Sequence, residues 1–417
     1  MPQTSEKRVT IWNRTFICCL LANVFLYLGQ NIVNPLVTTY AAYTGAGASI
    51  IGMISGLYFG VSFAMRPVSG PMVTMMDKKK LMIFAFALGV VVNLGYAASR
   101  SVGLFIASRV LHGVQFSLVG SLGLTVASDS LPKEKMGSGI GIFGLSGIVG
   151  TAFGPSLGLA LRDLGEQTLG EGGGFFLTFL AAAFISAVSV IPCILIAPQP
   201  KPDRSASAAG PWYHNILSLD AVRPSVVTAL ISMSSILANS FMVPYAAEYG
   251  LSGIGLYFTV NAIASLVSRP FTGKLLDKKG PAFVFYPCAV LMAAGLLIIG
   301  LVHTLPAILF AAVLTGVGWG TVSPLLQSMA IQVVPPSRRG VASNTSFLGF
   351  DLGLFVGPTL AGLIVAQTGS HGAMFTASAI PVFLGILVFA FTWKHYKTRV
   401  KALQTTEAPC DAQQDNQ

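Results

Sequence analysis

Twelve stretches of mostly apolar residues, most of them at least twenty residues long, divide this chain at close intervals. About twenty such residues make a helix long enough to cross the hydrocarbon core of a bilayer. Inside lipid each backbone N–H and C=O needs a partner within its own segment, so runs of this length predict helices. They fall at approximately 15–38, 48–73, 81–98, 102–127, 136–161 and 174–197, then at 223–247, 252–275, 281–302, 305–333, 340–366 and 372–393. The expected fold class is an all-α membrane protein of twelve transmembrane helices.

Composition excludes the alternatives. With 53% hydrophobic and 10% charged residues, the chain lacks the polar surface a water-soluble fold of 417 residues requires. Its net charge of +10 does not indicate nucleic acid, because the Lys and Arg sit in short bridges between apolar runs, with no aromatic or groove-reading residues beside them. Cys18, Cys19, Cys193, Cys288 and Cys410 show no metal or redox spacing and read as packing residues or untethered thiols. The basic start, Lys7, Arg8 and Arg14, resembles a signal peptide's, but the following apolar run is too long for a signal core and reads as a retained first helix.

The basic bridges also orient the chain. Counting from an N-terminus on the cytoplasmic side, that side collects twenty Lys and Arg, from Lys7 to Lys401, and the other only Arg100 and Arg162. Positive charge stays inside, so both termini are expected in the cytoplasm of a cell with this protein in its inner or plasma membrane. Pro, Ser and small residues at 198–222 mark a cytoplasmic linker between six-helix bundles at 1–197 and 223–394, and 395–417 reads as a polar cytoplasmic tail.

The two bundles repeat one another. Moved along by 203 positions, Arg66-Pro-Val-Ser-Gly70 lies on Arg269-Pro-Phe-Thr-Gly273, Gly113 on Gly316, Pro132 on Pro335 and Gly137 on Gly340. Gly150-x-x-x-Gly154-Pro155 lies on Gly353-x-x-x-Gly357-Pro358. A single offset over so long a stretch means internal duplication. Two similar halves in lipid are the usual build of a secondary transporter, which needs two bodies to move around one site.

This pattern resembles the major facilitator superfamily, over nearly the whole chain. Gly150-Thr-Ala-Phe-Gly154-Pro155 is similar to the fifth-helix motif of that family's proton-coupled drug antiporters, which implies a gating role for Gly150, Gly154, Pro155, Gly353, Gly357 and Pro358. Ordinary close packing of small residues accounts for the same spacing. Gly273-Lys-Leu-Leu-Asp277-Lys278-Lys279-Gly280 resembles the family's loop motif after the second helix of a half, adding Gly273, Asp277 and Lys278 to the gating set. The first half departs from it: Thr74 stands where the acid belongs, and Asp77 follows three residues later. Those lysines then serve equally well as topology markers.

Two formal charges lie well within the predicted spans, Arg109 on the fourth and Asp351 on the eleventh, with His112 one turn from Arg109. Ionisable groups in lipid are costly enough to be functional candidates. All three fall near mid-membrane, and Arg109-Val-Leu-His112-Gly113 resembles the family's fourth-helix motif, so they are the candidate coupling residues. The static alternative pairs Asp351 with Arg66, since the family packs its second and eleventh helices together. His112 reads equally as a hydrogen-bonding residue.

Uncharged polar residues trace a cavity. Asn23, Tyr27, Gln30, Asn31 and Asn34 recur on one face of the first helix, and Ser235 and Asn239 on the seventh. Gln115 on the fourth and Gln327 on the tenth complete the candidate substrate lining. The first helix has no acid, so a neutral or anionic cargo is as consistent as a lipophilic cation. No Walker motif and no metal-ligand cluster is present, so neither ATP nor a cofactor is expected, and nothing points to an enzyme. The expectation is proton-coupled efflux of a small organic molecule by a monomer working by alternating access. The alternative is an uptake symporter for a sugar, organic acid or similar nutrient.

Overall fold

A computed structural model of the chain describes residues 11–132, 136–197, 217–335 and 339–407. Its secondary structure there is helical: α1 (Arg14–Val33), α2 (Val37–Tyr43), α3 (Ala48–Met75), α4 (Lys78–Ala98), α5 (Val102–Asp129), α6 (Met136–Leu169) and α7 (Gly173–Leu195). The second half holds α8 (Leu219–Glu248), α9 (Gly255–Lys279), α10 (Pro281–Leu301), α11 (Leu305–Gln332), α12 (Arg339–Thr368), α13 (His371–Ala377) and α14 (Ala379–Glu407). Most of the linker, along with Lys133, Lys135, Arg338 and Cys410, lies outside the described residues.

Fourteen helices make twelve spans because two spans are broken. The first changes to a tight turn at Asn34–Leu36, where Pro35 cannot donate to the helix, and resumes as α2. The last pauses at Ser378, ahead of Pro381, between α13 and α14. Eleven spans are long and apolar enough to cross a bilayer by length and composition. The twelfth, α9, has the length but carries Asn261, Arg269, Lys274 and Asp277. It can do so because it packs between α6 and α11, away from open lipid on two sides.

Caps fix the ends. The Asn13 side chain accepts from the Phe16 N–H at 2.8 Å, and that of Asp77 from Lys80 N–H at 3.1 Å. The displaced acid of the first-half loop is thus the N-cap of α4. Gly280, at φ 82°, stops α9 in a conformation that glycine adopts readily. Helices α6 and α14 outrun their predicted ends, reaching Leu169 and Glu407, because both continue through charged residues that an apolar-run criterion rejects.

The repeat is physical. A Cβ on Gly113 of α5 would stand 2.6 Å from the Tyr58 carbonyl of α3, and one on Gly316 of α11 2.4 Å from that of Asn261 on α9. Asn261 is the residue 203 positions after Tyr58. The motif glycines do the same job in each half. Gly150 and Gly154 press against Tyr27 and Asn31 of α1, while Gly353 and Gly357 press against Ala229 and Met233 of α8. Aromatic clusters fill the spaces between: Tyr40, Tyr96, Phe105 and Phe179 in the first half, and Phe285 stacked at 3.7 Å on Phe389 in the second. Phe184, Phe271 and Phe391 point outward, as a lipid-facing surface requires.

Twelve crossings put the start of α1 and the end of α14 on one face, here called the terminal face. The halves meet along two seams, α3 with α12 and α6 with α9.

Candidate functional site

A cavity of about 150 Å³ lies among α8, α9, α10 and α11, with α1 and α6 closing one side. Its polar lining comes from Asn31 and Thr151 on the first half and from Ser235, Asn239, Asn261 and Thr315 on the second. Tyr257, Phe258 and Trp319 supply its aromatic walls, and Phe350 stacks behind Trp319 at 5.8 Å. No charged side chain lines it.

Three of the nine predicted lining residues, Asn31, Ser235 and Asn239, meet here. The others go elsewhere. Asn23 donates to Ser146 Oγ and ties α1 to α6; Tyr27 packs against Gly147 and Gly150. Gln30 and Gln115 are buried, each with one amide atom lacking a partner, and the Gln115 amide abuts Gly89 of α4. Asn34 opens the turn between α1 and α2, and Gln327 is half-buried on α11. The cavity therefore sits off-centre in the second half, whereas a lining from the first, fourth, seventh and tenth spans was expected.

Sequence reasoning missed Tyr257, Asn261 and Trp319. Asn261 donates to Thr315 Oγ1 at 2.9 Å and to the Ala312 carbonyl at 3.1 Å, and the Tyr257 hydroxyl is 3.1 Å from Thr315 Oγ1. A signal was available: Tyr257 and Asn261 stand four apart on the least apolar span, and Thr315 takes the slot of His112 in the repeat.

The candidate coupling residues form two separate groups. Arg109 is 2% exposed; its Nε donates to the Ile54 carbonyl at 3.2 Å, its Nη2 to the Ser55 carbonyl at 2.9 Å, and its guanidinium lies over the Tyr58 ring at 5.0 Å. The Tyr96 hydroxyl joins it to His112, lying 3.5 Å from Arg109 Nη1 and 2.9 Å from His112 Nδ1. No carboxylate pairs with Arg109 among the described residues. This group anchors α5 to α3 and α4 within the first half.

Asp351 stands apart from it, on the seam between halves. Its Oδ2 accepts from Arg66 Nε at 2.8 Å and from Ser62 Oγ at 3.1 Å, and the Arg66 guanidinium lies over the Phe347 ring. Asp351 is fully buried, and its Oδ1 has no partner. A buried ion pair is stable while both charges remain and costly once either is lost. The pair joins the two halves across this seam.

The gating candidates divide as well. Gly150, Gly154, Gly353 and Gly357 set helix spacing inside each half, as above. Pro155 and Pro358 lie inside α6 and α12, and the Pro358 carbonyl would be 2.4 Å from a Cβ on Gly52 across the seam. Gly273 faces open space, Lys278 is exposed at the end of α9, and the Asp277 side chain is outside what is described.

Contacts between the halves gather away from the terminal face. Thr38 Oγ1 donates to the Ser240 carbonyl at 2.5 Å, Ser156 Oγ to the Gly255 carbonyl at 3.1 Å, and Gly52 meets Gly362 backbone to backbone.

Known proteins of this shape carry solutes. The chain is 24% identical over 409 residues to the multidrug resistance protein MdtG of Salmonella schwarzengrund, covering 94% of this chain and 98% of that one. It is 26% identical over 402 residues to MdtG of Yersinia enterocolitica, at 92% and 94% coverage. Among solved structures, the nucleoside transporter NupG superposes with a TM-score of 0.72 at 12% identity, covering 90% of this chain and 99% of that one. A bacterial homologue of the human lysosomal transporter Spinster, inward-facing and unoccupied, gives 0.72 at 12% identity, with 94% and 97% covered. The family model described as Major Facilitator Superfamily matches residues 19–221 and 224–414. With its two six-helix halves and a polar cavity between their helices, the chain is a multi-pass membrane transporter of small molecules, not an enzyme, and it belongs to the Major Facilitator Superfamily.

Proposed function

We propose that the protein exports a small organic molecule in exchange for protons, with its termini in the cytoplasm and one chain as the working unit. Export is supported by the multidrug resistance relatives, and the carrying observation for coupling is the Arg66–Asp351 pair across the α3–α12 seam. A proton taken up on the partnerless Oδ1 removes the charge that holds Arg66. The seam then loosens, the halves rock, and the cavity is offered to the other side. Release of the proton restores the lock.

The cargo follows from the cavity. Carboxamides, hydroxyls and aromatic walls without a carboxylate favour a neutral molecule with hydrogen-bonding groups and a flat apolar face, over a drug cation. The same lining favours a second reading, uptake of a sugar-like nutrient. Growth of a deletion strain on single carbon sources, beside its drug sensitivity, separates the two.

Reconstituted in proteoliposomes, the wild type is expected to move substrate faster under an imposed pH gradient. Asp351→Asn is expected to bind substrate as before yet ignore the gradient. A wild type indifferent to the gradient ends the proton reading.

A further inference from the structure

We propose that Arg269 is the anchor of a second, anionic ligand site on α9 and α11, separate from the cargo cavity and selective for a phosphate-class group. Away from the helix ends, Arg66 on α3, Arg109 on α5 and Arg269 on α9 can be compared directly. The first is held by Asp351 and the second by backbone carbonyls and Tyr96. Arg269 is exposed and makes no ion pair among the described residues. Asp277, eight positions on, is about 12 Å further along the helix, beyond the reach of neighbours on one face.

The repeat shows why Arg269 is free. It is the counterpart of Arg66, but the position matching Asp351 is Ile148 on α6, which brings no charge. A guanidinium keeps its proton under all ordinary conditions, so Arg269 cannot escape the cost of its place by neutralising. It lies fourteen residues, about 21 Å, from the distal start of α9, well inside the span. An arriving anion would balance it.

There is room for one. A cavity of about 260 Å³ is lined by Arg269, Thr272 and Gly273 of α9 and by Gly320, Thr321 and Pro324 of α11. A Cβ built on Gly273 meets nothing within 4 Å, so the wall beside Arg269 is open. Thr321 Oγ1 donates to Thr272 Oγ1 at 3.4 Å, a long contact that the Thr321 hydroxyl can exchange for an anion by turning, while Thr272 donates to the Ser268 carbonyl at 2.9 Å. The planar fork of Arg fits two oxygens of a phosphate, and basic recesses between spans suit lipid headgroups. Apolar Leu276, Val284 and Leu325 complete the recess and suit the chains behind such a headgroup.

The test uses the purified full chain, with wild type, Arg269→Gln, Arg269→Lys and Gly273→Leu, and with Lys397→Gln as a basic residue elsewhere. One arm measures phosphatidylglycerol retained per chain by native mass spectrometry after exchange from phosphatidylglycerol–phosphatidylcholine micelles. The other measures thermal stabilisation of delipidated protein by inorganic phosphate. Arg269→Gln is expected to weaken binding in one arm by about tenfold or more, the scale of a charge-assisted hydrogen bond. Arg269→Lys should recover part of it, Gly273→Leu should lose it by filling the recess with the charge intact, and Lys397→Gln should not matter. Loss in the lipid arm makes the ligand a headgroup, and loss in the phosphate arm makes it a free solute. Wild-type binding in neither arm, no change in the Arg269 variants, or equal loss in Lys397→Gln overturns the site. Neither arm measures transport, so the result is independent of the export reading.

Discussion

The seams α3–α12 and α6–α9 descend from the same repeated halves and hold the molecule in different ways. At α3–α12 glycines bring backbone onto backbone: a Cβ on Gly56 would lie 2.4 Å from the Phe355 carbonyl, and Gly52 meets Gly362. A buried ion pair lies further along the same seam. At α6–α9 a Cβ on Gly255, the counterpart of Gly52, would meet Ser156 Oγ at 3.4 Å, an ordinary contact. Two hydroxyls bridge the helices there, and the Arg has no acid opposite it. Duplication gives two seams, and divergence at a few positions has made one tight and charged and the other loose and polar. In the proposed rocking cycle, the first would set the energy of closure and the second would let the halves slide.

Filling the tight seam should give the largest effect. Gly56→Leu must move backbone, so a destabilisation at or above the upper end of about 1–3 kcal/mol and loss of transport are expected. A Cβ on Gly255 makes only ordinary contacts, so Gly255→Leu should cost less than half as much. Thermal unfolding in detergent compares them directly, and equal losses would erase the distinction between the seams.

Breaking the ion pair comes next. Arg66→Met leaves Asp351 charged and buried, at about 3–5 kcal/mol, whereas Arg66→Met with Asp351→Leu removes both charges and should recover most of that. Both should uncouple transport from the pH gradient. A double variant no more stable than the single one would mean that the pair is not what strains the seam.

The same comparison shows what the chain's residues disclose unaided. Twelve spans and two halves were legible because lipid imposes length and apolarity on every crossing and the 203-residue echo is local in sequence. The pairing of Asp351 with Arg66 could be stated as an alternative, since few charges stand in the spans. The cavity's off-centre position was not legible. Asn23 and Asn31 lie on one helical face eight residues apart, yet one binds Ser146 between helices and the other faces the cavity. Helix rotation and tilt decide that, and they depend on glycine contacts such as Gly154 on Asn31, which polar periodicity does not encode. Arg269 stood only as the echo of Arg66, because its sequence motif is the same; what differs is the residue at the counterpart of Asp351.

Supplying the missing acid should make the loose seam resemble the tight one. Ile148→Asp places a carboxylate at the counterpart of Asp351, and pairing with Arg269 is expected to add about 1 kcal/mol of stability while slowing transport several-fold. The gain should vanish in an Arg269→Gln background, which a double-mutant cycle on thermal unfolding reads out. A carboxylate that destabilises equally with and without Arg269 would show that the two positions do not face one another.

The smallest effect belongs to the hydroxyl bridges. Thr259 Oγ1 donates to the Ala152 carbonyl at 3.2 Å, and Thr259→Val keeps the shape while deleting the donor. Hydrogen bonds between helices in lipid contribute about 0.6 kcal/mol on average, because the loosened state finds other partners. A threefold change in the closed-to-open ratio follows, with little change in thermal stability. If α6–α9 slides, this loss should speed transport by up to about that factor, since the bridge opposes movement more than it supports the fold. A variant slower than wild type would mean that the bridge holds a geometry needed for turnover, and the loose seam would then be a working part of the gate.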